Sequence, residues 1–200
     1  MALENICGKL LADLDLSCQA PERRFWQQAV LIKKSDVDTS TITTTDYDVT
    51  PTVSCAYSVE FALKCDQKGI RISGIESGDA YKGWYSKTRD DNGYPVYKHQ
   101  VQLFVGGTSE SINCVLDALD RGSHFVAMQT KGGTVVIYGF QNGLSSGDYD
   151  YDIMEGSGGA LITLESLDSS PESLLPLIYK AAGGSTVAAD FDTAFEGPTC

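Results

Sequence analysis

In two stretches of this chain apolar side chains fall on every second residue, and that spacing constrains the fold more than any other feature. Cys55, Tyr57, Val59, Phe61 and Leu63 occupy odd positions in one. Tyr97, His99, Val101, Leu103 and Val105 do so in the other. A period of two belongs to a strand with one face buried, because successive side chains of extended backbone point to opposite sides. The second stretch is the return limb of a long hairpin predicted over residues 79–105. Asp91, Asn92 and Gly93 at its tip tolerate the positive φ of a tight turn. Limbs of about 12 residues extend roughly 40 Å at about 3.3 Å per residue, longer than most single-domain strands. The expectation is a hairpin held in part by something outside its own domain. Its aromatic residues Trp84, Tyr85, Tyr94 and Tyr97 are the candidate subunit-interface residues, since a ring with a polar tip serves either a core or a partner surface.

The rest of the pattern is also mainly β. Strands are predicted over residues 28–34, 54–63, 70–75, 125–130, 134–140 and 160–167, with Lys131, Gly132 and Gly133 joining the fourth and fifth as a hairpin. The Thr-, Ser- and Asp-rich residues 35–50 are expected as an extended loop. One helix is marked over 109–121, where Ile112, Val115, Leu116 and Leu119 form an i, i+3, i+4, i+7 stripe. Thr108 or Ser109 is placed to cap its start and Gly122 to end it. The predicted fold is mainly β (α+β): an antiparallel sandwich or small barrel with one flanking helix, a long hairpin and extended terminal arms. Residues 1–27 are expected as an N-terminal arm, in which Leu10, Leu11 and Leu14 suit a short helix ended by Pro21. Residues 28–182 form the domain, and 183–200 a C-terminal tail, mobile or ordered by a neighbour.

Composition narrows function. A hydrophobic content of 42% supports a core, while a formal charge of -12 has the wrong sign for gripping phosphates. Asp13 and Asp15 interrupt the only candidate signal-peptide core, and 18 consecutive apolar residues occur nowhere. The expectation is a protein that stays where it is made, with all six cysteines reduced.

Chemistry-bearing motifs are sparse. The cysteines lack the close pairs of a zinc site, and His99 and His124 are the only imidazoles. Cys114 borders the helix stripe and reads as a buried structural thiol. Gly106 and Gly107 suit a tight strand-to-helix turn, without a phosphate-loop signature. Asp148, Asp150 and Asp152 alternate with tyrosines, but Ile153 and Gly159 stand where a calcium loop needs Gly and Glu. They read as a solvated or inter-subunit acidic strand. No enzyme, cofactor or metal is expected.

Four segments carry a resemblance: AVLIKKSDVD at 29–38, VQLFVGGTSESINCVLDALDRGSHFVAMQ at 101–129, VVIYGFQNGL at 135–144 and ESLLPLIYK at 172–180. With the N-terminal arm they resemble small structural proteins of tailed phages and prophages of gut bacteria, the tail tube family. The resemblance implies a sandwich or small barrel flanked by a helix, six copies per ring, and rings stacked into a hollow tube. The implied partners are other copies of the chain and other tail or neck proteins, with DNA only as passing cargo and no membrane. The implied location is the virion tail, after assembly in the host cytoplasm. Such a lumen lined by carboxylates would repel DNA phosphates. The same arrangement serves terminators, neck rings and tubes of contractile systems. A capsid-decorating or host-surface-binding phage protein is the alternative expectation, with exposed ligand loops and no axial stacking.

Overall fold

The computed structural model describes residues 25–48, 54–73, 81–107, 109–151, 158–181 and 184–200. The predicted N-terminal helix and residues 74–75 of the predicted third strand lie outside them. The strands are β1 (Phe25–Lys33), β2 (Thr43–Asp48), β3 (Ser54–Glu60), β4 (Ile70–Ser73), β5 (Lys82–Arg89), β6 (Pro95–Gly106), β7 (His124–Thr130), β8 (Val135–Tyr138), β9 (Ser145–Ser146), β10 (Gly159–Glu165) and β11 (Leu177–Tyr179). The helices are α1 (Glu110–Arg121) and α2 (Val187–Asp192). Two sheets form: one in the order β2-β3-β11-β8-β7-β1-β4, the other β5-β6-β10-β9. Pairing is antiparallel except between β11 and β3, which run parallel, so the larger sheet is mixed. The fold is mainly β, two sheets with helices added.

At its centre, in β1, β7 and β8, the larger sheet is buried on both faces. Ala29 and Leu31 of β1 point into a core shared with Val101, Leu103 and Val105 of β6 and with Ile162 and Leu164 of β10. Val30 and Ile32, the alternate residues, point into a second core with Phe61, Phe125, Ile137 and Tyr179. A strand covered on both sides must be apolar at every position, which is why AVLI runs unbroken. The smaller sheet buries one face only. Its alternating β6 and β10 follow from that, as does α1, whose Ile112, Val115, Leu116 and Leu119 pack on the first core.

Several expectations change. The loop expected over 35–50 instead holds two 3-10 turns, Lys34–Asp36 and Thr39–Thr41, followed by β2, with residues 49–50 outside the described ones. Asp38 holds the second turn by accepting from the Ser40 N–H at 3.0 Å. The extended preference of Thr is then used in a ladder with β3. Ser109 is the N-cap of α1 without a side-chain capping bond, Thr108 lies outside the described residues, and Gly122 ends the helix at negative φ. Cys114 is exposed, not buried.

The C-terminal tail is the largest correction, because residues 184–200 pack on their own domain. Phe191, Ala194 and Phe195 cover the second core, with Phe195 stacked on Phe61 at 5.4 Å and edge-on to Tyr179 at 4.9 Å. Burying a phenyl ring contributes about 1.5–3 kcal/mol, enough to hold a short segment that its Gly/Ala composition alone would leave loose. Arg71 Nη2 donates to the Phe191 carbonyl at 2.6 Å, and the Gly69 N–H donates to that of Ala194 at 2.9 Å. Cys65 and Cys200 are joined as a disulfide, their Cα atoms 5.6 Å apart. The expectation of six reduced thiols is therefore corrected at this pair.

Candidate assembly surface

The predicted hairpin is present as β5 and β6, paired from Lys82↔Gln102 to Arg89↔Pro95. Its turn is built by Asp90, whose Oδ1 accepts from the N–H groups of Asn92 at 3.0 Å and Tyr94 at 2.7 Å. Gly93 supplies the positive φ of 84° that the turn requires. The two limbs differ in surroundings. Beside β6 on its far side lies β10 along residues 100–106, then Ser166 at His99, then Glu172 at Tyr97. Tyr97 and Glu172 exchange both backbone hydrogen bonds, at 2.8 and 2.9 Å. β6 is thus held within the domain as far as Tyr97, and only the end of the hairpin overhangs. The long hairpin is present, and the expectation that something outside the domain holds it is corrected for β6, because the chain from β10 to Glu172 runs beside it.

β5 is paired on one side only, and no described strand lies on its other side. Of its residues only Gly83 is even half-buried. That glycine is required there, since an added Cβ would stand 2.6 Å from the Tyr138 ring. An unpaired edge presents backbone donors and acceptors to any chain that can lie alongside it.

The four predicted interface residues do not form one patch. Trp84, 38% exposed, lies on the outer face of the small sheet, opposite Gln100. That face also carries Leu161, 51% exposed, paired with the half-buried Phe104. Tyr94, 70% exposed, sits at the turn. Tyr85 and Tyr97 share the inner face with their rings edge-on at 6.0 Å, and Tyr85 continues to His99 at 6.4 Å and His99 to Tyr138 at 5.9 Å. Tyr85 nonetheless remains 48% exposed. This row of rings leads from the overhang into the core and stiffens the base of the hairpin.

Two buried polar groups fix that base, and the sequence pattern gave no sign of either role. The Glu172 carboxylate accepts from the N–H groups of Gln141 at 3.0 Å and Asn142 at 2.8 Å. Burial raises its pKa above the usual carboxylate range, partly offset by those amides and by the Lys34 charge. His99 Nδ1 accepts from the Gly139 N–H at 3.1 Å. Burial lowers the ring's pKa to about 4, against a smaller opposite effect of the Leu174 backbone, so the imidazole is neutral near pH 7. Both groups hold the 139–142 loop against β6. Ser166 Oγ accepts from the His99 backbone N–H at 3.1 Å, a backbone contact and not a nucleophile–base pair. Among the described residues no cluster of His, Cys, Asp and Glu is arranged to hold a metal ion.

At the opposite edge of the small sheet the chain runs from β9 through residues 147–151. Tyr149 Oη donates to Asp120 Oδ2 at 3.0 Å and Tyr151 Oη to the Gly107 carbonyl, so both rings turn inward. Asp148 and Asp150 are left exposed, while Asp152 lies outside the described residues. No helix of the described residues is long and apolar enough to cross a membrane. No family model matches the chain, and no curated protein or solved structure matches it either.

Proposed function

We propose that the chain is a structural virion subunit that self-assembles into stacked rings, forming a phage tail tube or neck conduit through which DNA passes. The observation that carries this reading is the open edge strand β5, exposed along its length and bearing Trp84 and Tyr85 beside an overhanging turn with Tyr94. A solvated edge of eight residues that carries aromatic side chains beside its cations is what one subunit offers another, and soluble proteins otherwise shorten, cover or only charge such edges. The formal charge of -12 fits a conduit that does not retain nucleic acid. The function then resides in interfaces, with no catalytic centre, and other tail or neck proteins meet the ends of the stack.

Negative-stain electron microscopy across a concentration series, with mass photometry on the same samples, tests the reading. Rings or tubes with a central hole are the expected result. A species that stays monomeric throughout would overturn it in favour of a capsid-decorating or host-binding protein.

A further inference from the structure

The small sheet has two edges of opposite charge. β5, sequence KGWYSKTR, carries Lys82, Lys87 and Arg89 and no acidic residue, although the whole chain is strongly acidic. Asp90 and Asp91 follow at the turn, where Asp90 accepts from the turn's backbone and Arg89 donates to the Gly93 carbonyl at 3.0 Å. The other edge, β9 and residues 147–151, presents Asp148 and Asp150 and no basic residue. Asp120 lies beside it, accepting from Ser146 and Tyr149. The nearby Arg121 is engaged by Asp117 at 2.7 Å.

We propose that subunits join head to tail, the basic β5 edge of one copy docking on the acidic 147–151 edge of the next. The inference rests on the self-assembly reading and names the surfaces that carry it. Like edges are disfavoured, because β5 against β5 brings together two strands that carry cations and no carboxylate. The 147–151 edge against itself repels in the same way. Opposite charge on opposite edges instead favours a heterologous contact that repeats in one direction, the arrangement that closes into a ring when the rotation permits. The inward anchoring of Tyr149 and Tyr151 fits this role, since in this segment beyond β9 it leaves the two alternate carboxylates, Asp148 and Asp150, exposed.

Two charge-reversal variants test the proposal: Lys87→Glu with Arg89→Glu, and Asp148→Lys with Asp150→Lys. All four positions are exposed, so thermal melts matching the unmodified chain serve as the folding control. Each variant alone should raise the concentration at which oligomers appear by about tenfold or more, with the charge contribution weakening as salt is added. An equal mixture of the two should restore assembly, because each then offers the edge its partner lacks. If the unmodified chain assembles and both variants do so equally well, or if the mixture is not restored, the edge-to-edge contact is wrong while self-assembly stands. If the unmodified chain never assembles, both readings fall.

Discussion

The two sheets are made from similar residues and are used differently. The centre of the seven-stranded sheet is covered on both faces, by the small sheet on one side and by Phe61, Leu63 and residues 184–200 on the other, while Ile70 and Ile178 toward its edge strands stay partly exposed. The four-stranded sheet buries one face and leaves an outer face, an open edge strand and a turn in solvent. Exposure is therefore concentrated on the smaller sheet, and the stability of the domain on the larger. Truncating a buried ring should separate them most sharply. Phe125→Ala should cost about 3–5 kcal/mol in urea unfolding, since Phe125 is fully buried and packs edge-on to Phe61 at 5.3 Å. Leu161→Ala on the outer face should cost below about 1 kcal/mol. Equal losses would mean that the outer face is covered in solution.

The seal on the larger sheet depends partly on a covalent link. Cys65 and Cys200 are 135 residues apart in sequence, so their bond removes a large loop from the unfolded ensemble. Cys65→Ser in the oxidised protein should lower stability by about 2–5 kcal/mol. Alkylation of the unfolded, non-reduced chain followed by intact-mass measurement should find fewer than six modified cysteines. Six would restore the expectation of a fully reduced protein and leave the tail held by Phe191 and Phe195 alone.

What the sequence made legible follows the same division. Wherever one face is buried, the alternation stated it: Val101, Leu103 and Val105 lie in the first core, and Val59, Phe61 and Leu63 in the second. The stripe of α1 was equally plain, because a helix on a sheet shows its period directly. The C-terminal segment was misread because its apolar residues are few and widely spaced. Phe191 and Phe195 were the available signal, two rings four residues apart in an otherwise small and acidic stretch. β11 is only three residues long and shows no period. Of the assembly surface, the aromatic hairpin was visible, but its support from within the domain was not. That support comes from Ser166 and Glu172 returning beside β6, a long-range pairing that no local pattern announces.

The joint between the sheets should weaken in acid. His99 belongs to the small sheet and takes its hydrogen bond from Gly139, just after β8 of the large one. Its folded pKa of about 4 lies below the unfolded value of 6.5, so the unfolded chain binds the proton first. The stability due to the neutral ring is complete above pH 6.5 and is lost as pH falls toward 4, by about 2 kcal/mol at pH 5. Glu172 acts in the opposite direction: its raised folded pKa makes its contribution greatest below the ordinary carboxylate range and smaller as pH rises through the folded value. Urea melts at pH 7 and pH 5 should show the loss in Glu172→Gln, and His99→Gln should flatten it. A profile unchanged by the His99 substitution would place the acid sensitivity elsewhere, with His124, whose pKa burial also lowers, the next group to replace.

The smallest change in stability should accompany the clearest change in association. Trp84 is flanked by Gly83 and Tyr85 on an edge strand, and its ring lies on the solvent side of the small sheet. Replacing it with Ala removes little buried area, so Trp84→Ala should alter unfolding by no more than about 0.5 kcal/mol. At a subunit interface the same ring would be covered, and a buried Trp anchor is commonly worth at least about 2 kcal/mol. That corresponds to roughly a thirtyfold rise in the concentration needed for assembly. Sedimentation velocity on Trp84→Ala and Tyr94→Ser, alongside their melts, measures both effects. An association change confined to Tyr94 would locate the contact at the turn and remove the outer face of β5 from it. Loss of stability with Trp84→Ala would mean that the ring belongs to the fold, and that the contrast between a sealed and an open sheet is less complete than its exposure implies.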